Sequence, residues 1–544
     1  MIRVSNIFVP VRNESGIENV AAERLGVPAS SIRDVVIVRR AIDARRYHGS
    51  PLGFVFSLDV ALSPADEGDV LARAAHGGKY YKNISTSPKS LPSIFEGLTD
   101  LSSRVMRRPV VIGFGPAGMF CALLLARAGL SPLVLERGAD VDTRAAAVGR
   151  FWGGGPLDET TNVQFGEGGA GAFSDGKLTS RSSDPVQRDI IETFIAAGAP
   201  DEIRFLQKPH IGTDILRGVV KNIREEIKKL GGEIRFNSTV TDIKFDASGV
   251  KSLIIDGGEE AAADAVFLGV GHSARDTYAM LRAHGVAMEP KAFAIGVRIE
   301  HPQSMIDEAQ YGDDAELVGS LLPVADYALT YQDRETGRGA YSFCMCPGGQ
   351  VVAAASERGR ITTNGMSLHA RDSGVANSAL LVQVRPDDFG GEVLGGIEFQ
   401  RQYEGLAFRL AGGDYRAPVQ SVGDFLANKW GSENFVISPT YRPGVVARNL
   451  RECLPDFVAK TLADALRQFG RKIKGFDDAG IPMTGVEMRS SAPCRIVRDR
   501  DSLESASCAG LYPMGEGAGY AGGIMSAAAD GLKSGLAYLN KIRI

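Results

Sequence analysis

Residues 109–138 read PVVIGFGPAGMFCALLLARAGLSPLVLERG, and this stretch decides the fold. A β-branched run over 110–112 enters a glycine-rich turn, and apolar residues at helical spacing follow over 119–128. A second strand pattern over 132–135 ends at Glu136. The order of strand, glycine turn, helix, strand and terminal acid predicts a β-α-β unit that binds a dinucleotide.

The glycine turn GFGPAG contains three glycines with separate roles. Gly113 permits the tight turn, Gly115 lets the backbone approach a pyrophosphate, and Gly118 lets the helix pack on the strand. The pyrophosphate would lie at the helix N-terminus, where unpaired N–H groups and the helix dipole favour anions. Glu136 would accept a hydrogen bond from a ribose hydroxyl.

Two further glycine clusters lie far from this turn, at 165–177 and 512–524, in a chain with 65 glycines among 544 residues. A large cofactor laid across a domain needs close backbone approach at several points, which small residues permit. A helical pattern that begins near Gly522 offers a second set of free N–H groups for an anion. These clusters favour FAD over NAD as the bound dinucleotide.

Composition and charge exclude several classes of protein. Lys and Arg number 61 against 65 Asp and Glu, and this balance argues against a dedicated nucleic-acid binder. No segment approaches the ~18 apolar residues of a membrane helix, and the N-terminus does not look like a secretory signal. Six cysteines in a chain of this length do not indicate a disulfide framework. We therefore expect a cytoplasmic protein that binds neither nucleic acid nor membrane.

The first hundred residues form a separate predicted unit. Strand patterns cover 2–11, 35–42, 54–62 and 79–84, and helical patterns cover 16–26 and a segment that begins at 63–66. The order β-α-β-β-α-β predicts a small ferredoxin-like α+β domain over 1–100. A stretch rich in Ser, Pro and basic residues at 85–107 predicts the linker to the dinucleotide unit.

Several longer motifs span residues 109–525: VVIGFGPAGM, GGAGAFSDGKL, KPHIGTDIL, GHSARDTY, FAIGVRIEHP, SFCMCPGG, TNGMS and YPMGEGAGYAGGI. With these motifs the chain resembles FAD-dependent oxidoreductases of the two-domain, glutathione-reductase-like superfamily. More narrowly, it is similar to a bacterial family of uncharacterised FAD-dependent dehydrogenases. The resemblance implies an α/β fold with a discontinuous Rossmann-like FAD-binding domain over about 108–290 and 485–544. An inserted mixed α+β domain over 291–484 would cap the flavin ring and shape the substrate pocket.

The resemblance also implies which residues bind FAD. The pyrophosphate would be held by Gly113, Gly115, Pro116, Ala117 and Gly118, and the adenosine ribose by Glu136. The flavin ring would be lined by Gly168, Gly169, Ala170, Gly171, Ser174 and Lys177, and Gly522, Gly523 and Ile524 would donate N–H groups to its pyrimidine edge. Thr239 and Val240 would contact the adenine, and Glu516 would bind the ribityl chain where the superfamily more often has Asp. Arg137, Gly271 and Gly515 complete the predicted cofactor-binding set.

Residues 265–274, AVFLGVGHSA, look like a second nucleotide turn. A helical pattern and a strand that ends at Glu300 follow, so a second β-α-β unit for NAD(P) is one interpretation. The irregular link at 289–291 favours the other, in which this strand and turn close the FAD-binding domain. The chain then has no dedicated NAD(P) domain, and either NADH or NADPH docks transiently or a protein serves as electron donor or acceptor.

The sequence Cys344-Met345-Cys346 is the main candidate for cysteine chemistry. Residues two apart on a strand face the same side, so both thiols could line one pocket as a catalytic or redox pair or half of a metal site. The alternative is two small residues on a buried face, which is the commoner fate of Cys. The dithiol pattern of disulfide reductases is missing after the glycine turn. No His, Cys or carboxylate grouping has convincing metal spacing, so we expect no metal.

Further catalytic candidates are polar residues expected near the flavin. His272 and Arg275 follow a strand whose end should face the cofactor, and His is the usual proton donor near neutral pH. The alternative for His272 is a turn residue that caps backbone groups. Arg298 lies among apolar residues of a predicted strand and needs an anion partner, either a substrate carboxylate or Glu300. Tyr520 either covers the flavin or packs within the last glycine cluster.

Two hypotheses of function follow from these observations. The first is an FAD-dependent oxidoreductase, a dehydrogenase or reductase, that transfers hydride or electrons between bound FAD and a small organic substrate. The second is a flavin-dependent macromolecule-modifying or redox-sensing protein whose N-terminal domain binds a protein or RNA partner. Neither the substrate nor the direction of reaction follows from the sequence.

Overall fold

The computed structural model describes residues 1–13, 16–45, 51–76, 83–89, 91–179 and 184–543. It consists of an N-terminal unit, a parallel-sheet unit made from two separate stretches of chain, and a unit inserted between those stretches. Within the described ranges, no helix is long and apolar enough to cross a membrane.

The N-terminal unit is a four-stranded antiparallel sheet packed with two helices. Its elements are β1 (Ile2–Pro10), α1 (Ile17–Leu25), β2 (Asp34–Asp43), β3 (Gly53–Ala61), α2 (Pro64–Ala75) and β4 (Ile84–Thr86), with sheet order β2-β3-β1-β4. Apolar residues of β1 pack with Leu25 of α1 and Val70 of α2 in one core. This β-α-β-β-α-β order is that of a ferredoxin-like unit. The last described strand is Ile84–Thr86, and residues 77–82, which include most of the strand expected at 79–84, lie outside the described ranges.

The first stretch of the parallel-sheet unit covers residues 110–290. It begins with β5 (Val110–Ile112), α3 (Pro116–Arg127), β6 (Leu133–Leu135), α4 (Val141–Trp152), α5 (Val186–Ala196), α6 (Thr213–Lys229) and β7 (Glu233–Arg235). An antiparallel three-stranded sheet follows, made of β8 (Val240–Asp246), β9 (Gly249–Ile255) and β10 (Glu259–Ala262). The stretch ends with β11 (Val266–Leu268), α7 (Arg275–Ala283) and β12 (Met288–Pro290).

The inserted unit is a seven-stranded mixed sheet with helices. Its strands are β13 (Phe293–Pro302), β14 (Thr330–Gln332), β15 (Gly339–Cys346), β16 (Gly349–Ala353), β17 (Thr363–Ser367), β18 (Val375–Val384), β19 (Ala417–Ser421), β20 (Val445–Ala447) and β21 (Pro482–Glu487). Its helices are α8 (Gln303–Tyr311), α9 (Gly395–Leu410), α10 (Val422–Leu426) and α11 (Asp456–Gly470). The sheet order is β14-β15-β18-β13-β21-β19-β20, and β16 and β17 form a separate ribbon. The central strand β13 is buried on both faces from Phe293 to His301.

The chain then returns to the parallel-sheet unit through β22 (Cys494–Ile496), β23 (Leu511–Pro513) and α12 (Ile524–Arg543). The five-stranded sheet has the order β23-β11-β5-β6-β7, and every pair in it is parallel. Helices α3 and α12 pack closely because α12 carries glycines where it meets α3. A Cβ on Gly531 would lie 2.0 Å from the carbonyl oxygen of Ala117. The C-terminal helix therefore begins beside the glycine turn.

The strand at 266–268 belongs to this same sheet, between β5 and β23. The strand that contains Glu300 belongs to the sheet of the inserted unit, where it pairs with β18 and β21. The two strands therefore do not form a second β-α-β unit. The interpretation of residues 265–300 as an NAD(P) unit is wrong, because the strand after α7 leaves the parallel sheet.

Candidate functional site

A deep cleft crosses the carboxyl edge of the parallel sheet. It passes the ends of β5, β6 and β11 at Ile112, Leu135 and Leu268, and its empty volume, including the open mouth, is about 1670 Å³. Ligands of open parallel sheets bind at this edge. The cleft therefore lies where a dinucleotide is expected to bind.

The glycine turn after β5 forms the floor of the cleft. Gly113 has a φ of 91°, and a Cβ there would lie 2.4 Å from the carbonyl oxygen of Gly269. A Cβ on Gly118 would lie 1.9 Å from the carbonyl oxygen of Gly113, so Gly118 packs α3 against β5 behind the cleft. A Cβ on Gly115 would first meet Gly169 Cα at 3.6 Å, an ordinary contact. The N-terminus of α3 is thus open to an anion at Gly115.

Glu136 lies at one end of the cleft with its carboxylate 5 % exposed. One oxygen accepts a hydrogen bond from the backbone N–H of Phe114 at 2.8 Å, and the other accepts from Gly138 at 3.0 Å and Gly166 at 2.9 Å. These bonds fix the carboxylate beside the turn. The guanidinium of Arg137 lies 4.4 Å from the ring centre of Phe165 on the same wall.

The buried side chain of Arg144 holds the glycine loop that forms another wall of the cleft. Its guanidinium donates hydrogen bonds to five backbone carbonyl oxygens, of Asn162, Val163, Gly166, Glu167 and Gly169, at 2.6–3.2 Å. Burial lowers the pKa of Arg144 to about 9, so the group remains charged at neutral pH. Sequence reasoning missed this residue, because one Arg in an amphipathic helix reads as a surface group.

The N-terminus of α12 opens onto the cleft beside that of α3, since a Cβ on Gly171 would meet both Ile524 and Pro116. Gly523 and Ile524 line the cleft, and a Cβ on Gly523 would meet no atom within 4 Å. Glu516 lies beside them, accepts from the backbone of Gly523, and has its pKa raised by burial to about 7. Two helix N-termini and a carboxyl group thus converge on one cavity.

The inserted unit supplies the remaining wall, through Phe343, Cys344, Cys346, Asn364, Gly365, Glu487, Arg489 and Ser490. The two cysteines both line the cleft, as the strand spacing predicts, but not through regular alternation. The pairing of β15 with β18 shifts between Phe343 and Cys346, and Cys344 has a φ of 42°. Cys346 is 1 % exposed, whereas Cys344 is open to the cleft.

Arg298 is fully buried behind this wall, and its anion partner is Glu487. Two guanidinium nitrogens donate to the Glu487 carboxylate, both at 2.9 Å, and a third donates to Asn377 Oδ1 at 2.8 Å. The partner is therefore neither a substrate carboxylate nor Glu300, the two that the sequence suggested. Glu300 instead accepts hydrogen bonds from Thr440. Arg298 does not line the cleft. It positions Glu487 and the backbone of Cys344, which do.

Arg275 lies in a buried ionic cluster behind the cleft and does not line it. Its guanidinium donates to both carboxylate oxygens of Glu404, at 2.8 and 3.0 Å, and contacts Glu357. Glu404 also pairs with Arg489 at 2.8 and 3.0 Å, and the two guanidinium groups lower the pKa of Glu404 to about 2 despite its burial. Arg275 therefore does not face a ligand in the cleft, and its charge is neutralised by buried partners.

His272 and Tyr520 differ in position. His272 lines the cleft, its Nδ1 lies 3.0 Å from Ser273 Oγ, and burial together with Arg489 and Arg275 lowers its pKa to about 3. The imidazole is therefore neutral at pH 7, so it lacks the readily released proton of an imidazolium. Tyr520 lies outside the cleft, where its hydroxyl accepts from the backbone N–H of Arg498, so it does not cover a ligand in the cleft.

The cleft brings together most of the predicted cofactor-binding residues. Those that line it are Gly113, Gly115, Pro116, Ala117, Glu136, Arg137, Gly169, Ala170, Gly171, Ser174, Lys177, Val240, Gly271, Gly515, Glu516, Gly523 and Ile524. Gly118, Gly168 and Gly522 do not line it, and neither does Thr239. A Cβ on Gly168 would meet Ala172 and Val220 rather than the cavity, because this glycine serves the close packing of the loop on α6.

These residues fit FAD. Glu136, the glycine turn and the N-terminus of α12 all line the same cleft. At Gly115 the absent side chain leaves backbone N–H groups accessible to phosphate. Sequence reasoning missed several polar residues of this cavity, including Asp175, Asn364, Glu487 and Arg489. Asp175 could have been found, because it lies between the predicted residues Ser174 and Lys177. The other three gave no signal in the sequence, because only the packing of the inserted unit brings them to the cleft.

Comparisons with known proteins found two family models, a relative and several solved structures that are similar to this chain. Residues 292–490 match the family model described as FAD-dependent protein, C-terminal domain-like, and residues 1–60 match a domain of unknown function. An uncharacterized protein of Clostridium beijerinckii is 48% identical over 98% of this chain and 97% of its own length. Solved structures with similarity include the halogenase PltM, with a TM-score of 0.38 at 10% identity over 81% of this chain and 70% of its own. A glycine oxidase of Bacillus cereus has a TM-score of 0.31 at 11% identity, covering 80% and 98%.

Proposed function

This chain belongs to the same family as the Clostridium beijerinckii protein and carries the C-terminal domain of FAD-dependent proteins, and from that premise we propose that it is an FAD-dependent oxidoreductase. It transfers hydride or electrons between bound FAD and a small organic substrate. One observation carries the proposal: two helix N-termini, the glycine turn and polar residues of the inserted unit open into one continuous cleft.

The residues of the cleft support one arrangement of FAD. The N-terminus of α3 at Gly115 would hold the pyrophosphate, and Glu136 and Val240 would hold the adenosine. The loop at 169–174 and the N-terminus of α12 at Gly523 would hold the flavin. The backbone N–H groups there would stabilise negative charge on the reduced ring. FAD supplies the redox chemistry, and the chain supplies position, electrostatics and exclusion of water.

The source of electrons is part of the proposal. Strand β11 lies inside the parallel sheet, between β5 and β23. The described residues therefore contain no second β-α-β unit for a nicotinamide dinucleotide. NADH or NADPH then docks transiently over the open mouth of the cleft, or a carrier protein delivers the electrons.

An anaerobic visible spectrum of the purified protein tests both points. We expect flavin absorption, release of FAD rather than FMN on denaturation, and bleaching when NADH or NADPH is added. A protein that shows no flavin bands even after reconstitution with FAD contradicts the proposal. Flavin that stays oxidised with both nucleotides contradicts only the nicotinamide route and assigns the electrons to a carrier or to the substrate itself.

Gly115→Ala tests the position of the pyrophosphate. The new methyl group makes only an ordinary contact with Gly169 in the protein, but it occupies the space that a phosphate needs. We expect an intact fold and a loss of FAD affinity of about tenfold or more, which corresponds to ~1.4 kcal/mol, measured by titration of the ligand-free protein. Gly149→Ala is the matched control, since Gly149 is exposed on α4 with no atom near its Cβ position. Equal FAD affinities of Gly115→Ala and Gly149→Ala would contradict binding of the pyrophosphate at Gly115.

A further inference from the structure

We propose that Cys344 is the catalytic proton donor of the reaction, with Lys177 as the cation that stabilises its thiolate. This inference rests on the proposed function, because it places the thiol against the substrate face of the flavin. It also assigns the class of substrate, a molecule with a polarised double bond that accepts hydride at one end and a proton at the other.

The backbone around Cys344 is arranged to direct this side chain into the cleft. The shift in pairing between β15 and β18 interrupts the alternation of the strand at this residue, and its left-handed backbone, with a φ of 42°, is one that non-glycine residues rarely adopt. Its carbonyl oxygen accepts from Arg298 Nη1 and from Cys346 Sγ, both at 3.2 Å. The fully buried ion pair of Arg298 and Glu487 therefore fixes the position of Cys344.

The two cysteines are not equivalent. Cys346 is buried and uses its thiol in the bond to the Cys344 carbonyl, so it belongs to the support of the site. Cys344 is open to the cavity, on the wall that the inserted unit presents opposite Gly171, Gly523 and Ile524. This is the side on which the flavin lies in the proposed arrangement.

Lys177 provides a positive charge next to both thiols. Its ammonium donates to the carbonyl oxygen of Met345 and pairs with Asp175 at 3.1 Å. Asp175 also accepts two hydrogen bonds from Arg371, at 3.0 and 2.5 Å, so one carboxylate is shared between two cations. The excess of positive charge favours an anion at the neighbouring thiol. The charged groups that act on Cys344 are Lys177, Arg298 and Glu487, together with Asp175 and Arg371 that surround Lys177.

Cys344 holds a proton at neutral pH. The thiol is open to the cleft but surrounded by protein, and the resulting desolvation raises its pKa to about 12, although Lys177 opposes the shift. His272, the other residue predicted as a proton donor in this chamber, has its pKa lowered to about 3. A neutral thiol that is exposed to substrate and has a cation beside it suits general-acid catalysis.

In the direction of reduction, bound FAD would supply the hydride, with its electron pair, that forms a new bond at one end of the double bond of the substrate. The S–H bond of Cys344 breaks, its proton forms a new bond at the other end, and its electron pair stays on sulfur as a thiolate beside Lys177. Water that enters the open mouth of the cleft then reprotonates the thiolate, and the resulting hydroxide leaves to solvent. The two electrons would come from the nicotinamide or carrier protein of the proposed function.

A pH titration of the visible spectrum of the FAD-bound protein tests the inference. A thiolate in contact with oxidised flavin gives a long-wavelength charge-transfer band, whereas a thiol does not. We expect no band at neutral pH and a band that grows only well above the ordinary thiol value of ~8.5, because burial raises the pKa of Cys344 to about 12. The band should be absent in Cys344→Ser, present in the control Cys346→Ser, and shifted to higher pH in Lys177→Met.

Each other outcome has a defined meaning. A band already present at neutral pH makes Cys344 a thiolate and overturns its role as proton donor. Bound flavin without any band, or a band that survives in Cys344→Ser, overturns the contact itself. Alkylation by iodoacetamide gives a second readout, since FAD should slow the labelling of Cys344 and equal rates with and without FAD contradict the inference. If the protein binds no flavin at all, the proposed function itself is contradicted.

Discussion

Glu300 is a buried carboxyl group at the centre of the inserted sheet. One of its oxygens accepts from the backbone and hydroxyl of Thr440, while the other has no hydrogen-bond partner. Burial raises its pKa to about 7. Because the pKa in the folded state lies above the ordinary value of ~4.3, the protonated form favours folding, and this contribution declines as the pH rises from about 4 to about 7.

Glu300→Gln should therefore stabilise the protein at alkaline pH. We expect similar free energies of unfolding for variant and wild type at about pH 5, and an advantage for the variant of ~3 kcal/mol at about pH 8, where the wild-type carboxyl must ionise without a cation. Urea denaturation at the two pH values measures this difference. Glu335→Gln, at an 84% exposed side chain, is the control and should show no such pH dependence. A constant difference between Glu300→Gln and wild type would contradict the raised pKa.

Arg144 illustrates how one element positions another. It projects from α4 into the loop at 162–169 and donates to carbonyl groups that would otherwise lie buried and unpaired. A guanidinium has five N–H donors in a plane, whereas an ammonium has three. Replacement by Lys therefore leaves at least two carbonyl groups of the loop without a donor.

Arg144→Lys should weaken both the loop and the FAD site. With hydrogen bonds to charged groups worth ~1.5–3 kcal/mol each, we expect a loss of ~3–5 kcal/mol in the free energy of unfolding of the ligand-free protein. FAD affinity should fall by about tenfold, because the loop no longer holds its conformation. Chemical denaturation and FAD titration measure the two effects. Arg150→Lys, on the exposed side of the same helix, is the control, and equal behaviour of the two variants would exclude the positioning role.

At the scale of the whole molecule, the N-terminal unit is docked on the other two. Val11 and Leu52 are buried in the main core of the inserted unit rather than in the core of their own sheet. The backbone of Arg40 exchanges hydrogen bonds with the segment at 205–207 of the parallel-sheet unit. The unit is therefore part of the cooperative structure, even though it contributes no residue to the cleft among those described.

Leu52→Ala should destabilise the docked assembly. The side chain is 2 % exposed in the shared core, and truncation of a buried Leu costs ~2–5 kcal/mol. We expect the release of flavin on thermal unfolding to occur at a lower temperature. Leu58→Ala, in the separate core of the N-terminal unit, should lower the stability of that unit with a smaller effect on flavin release. A larger effect on flavin release from Leu58→Ala would show that docking does not depend on Leu52.

The order of elements and the glycine turn follow from the sequence because their requirements are local. A short β-branched strand, a glycine at a φ of 91° and an apolar helix lie within 20 residues of one another, so spacing alone predicts the turn around Gly113. The strand predicted at 79–84 lies mostly outside the described ranges, and β4 begins at Ile84. Tyr520 lies outside the cleft, because position within a glycine cluster does not determine which way a side chain points.

What the sequence by itself determined is therefore the dinucleotide unit and half of the residues along its cleft. What only the tertiary structure decided is the partner of each buried charge. Arg298 pairs with Glu487, 189 residues away, rather than with Glu300 two residues on, and Arg275 pairs with Glu404, 129 residues away. Ion pairing depends on distance in space and on desolvation, and neither is encoded in the spacing of residues along the chain. For the same reason, only the folded sheet shows that Cys344 faces the cleft while Cys346 supports it.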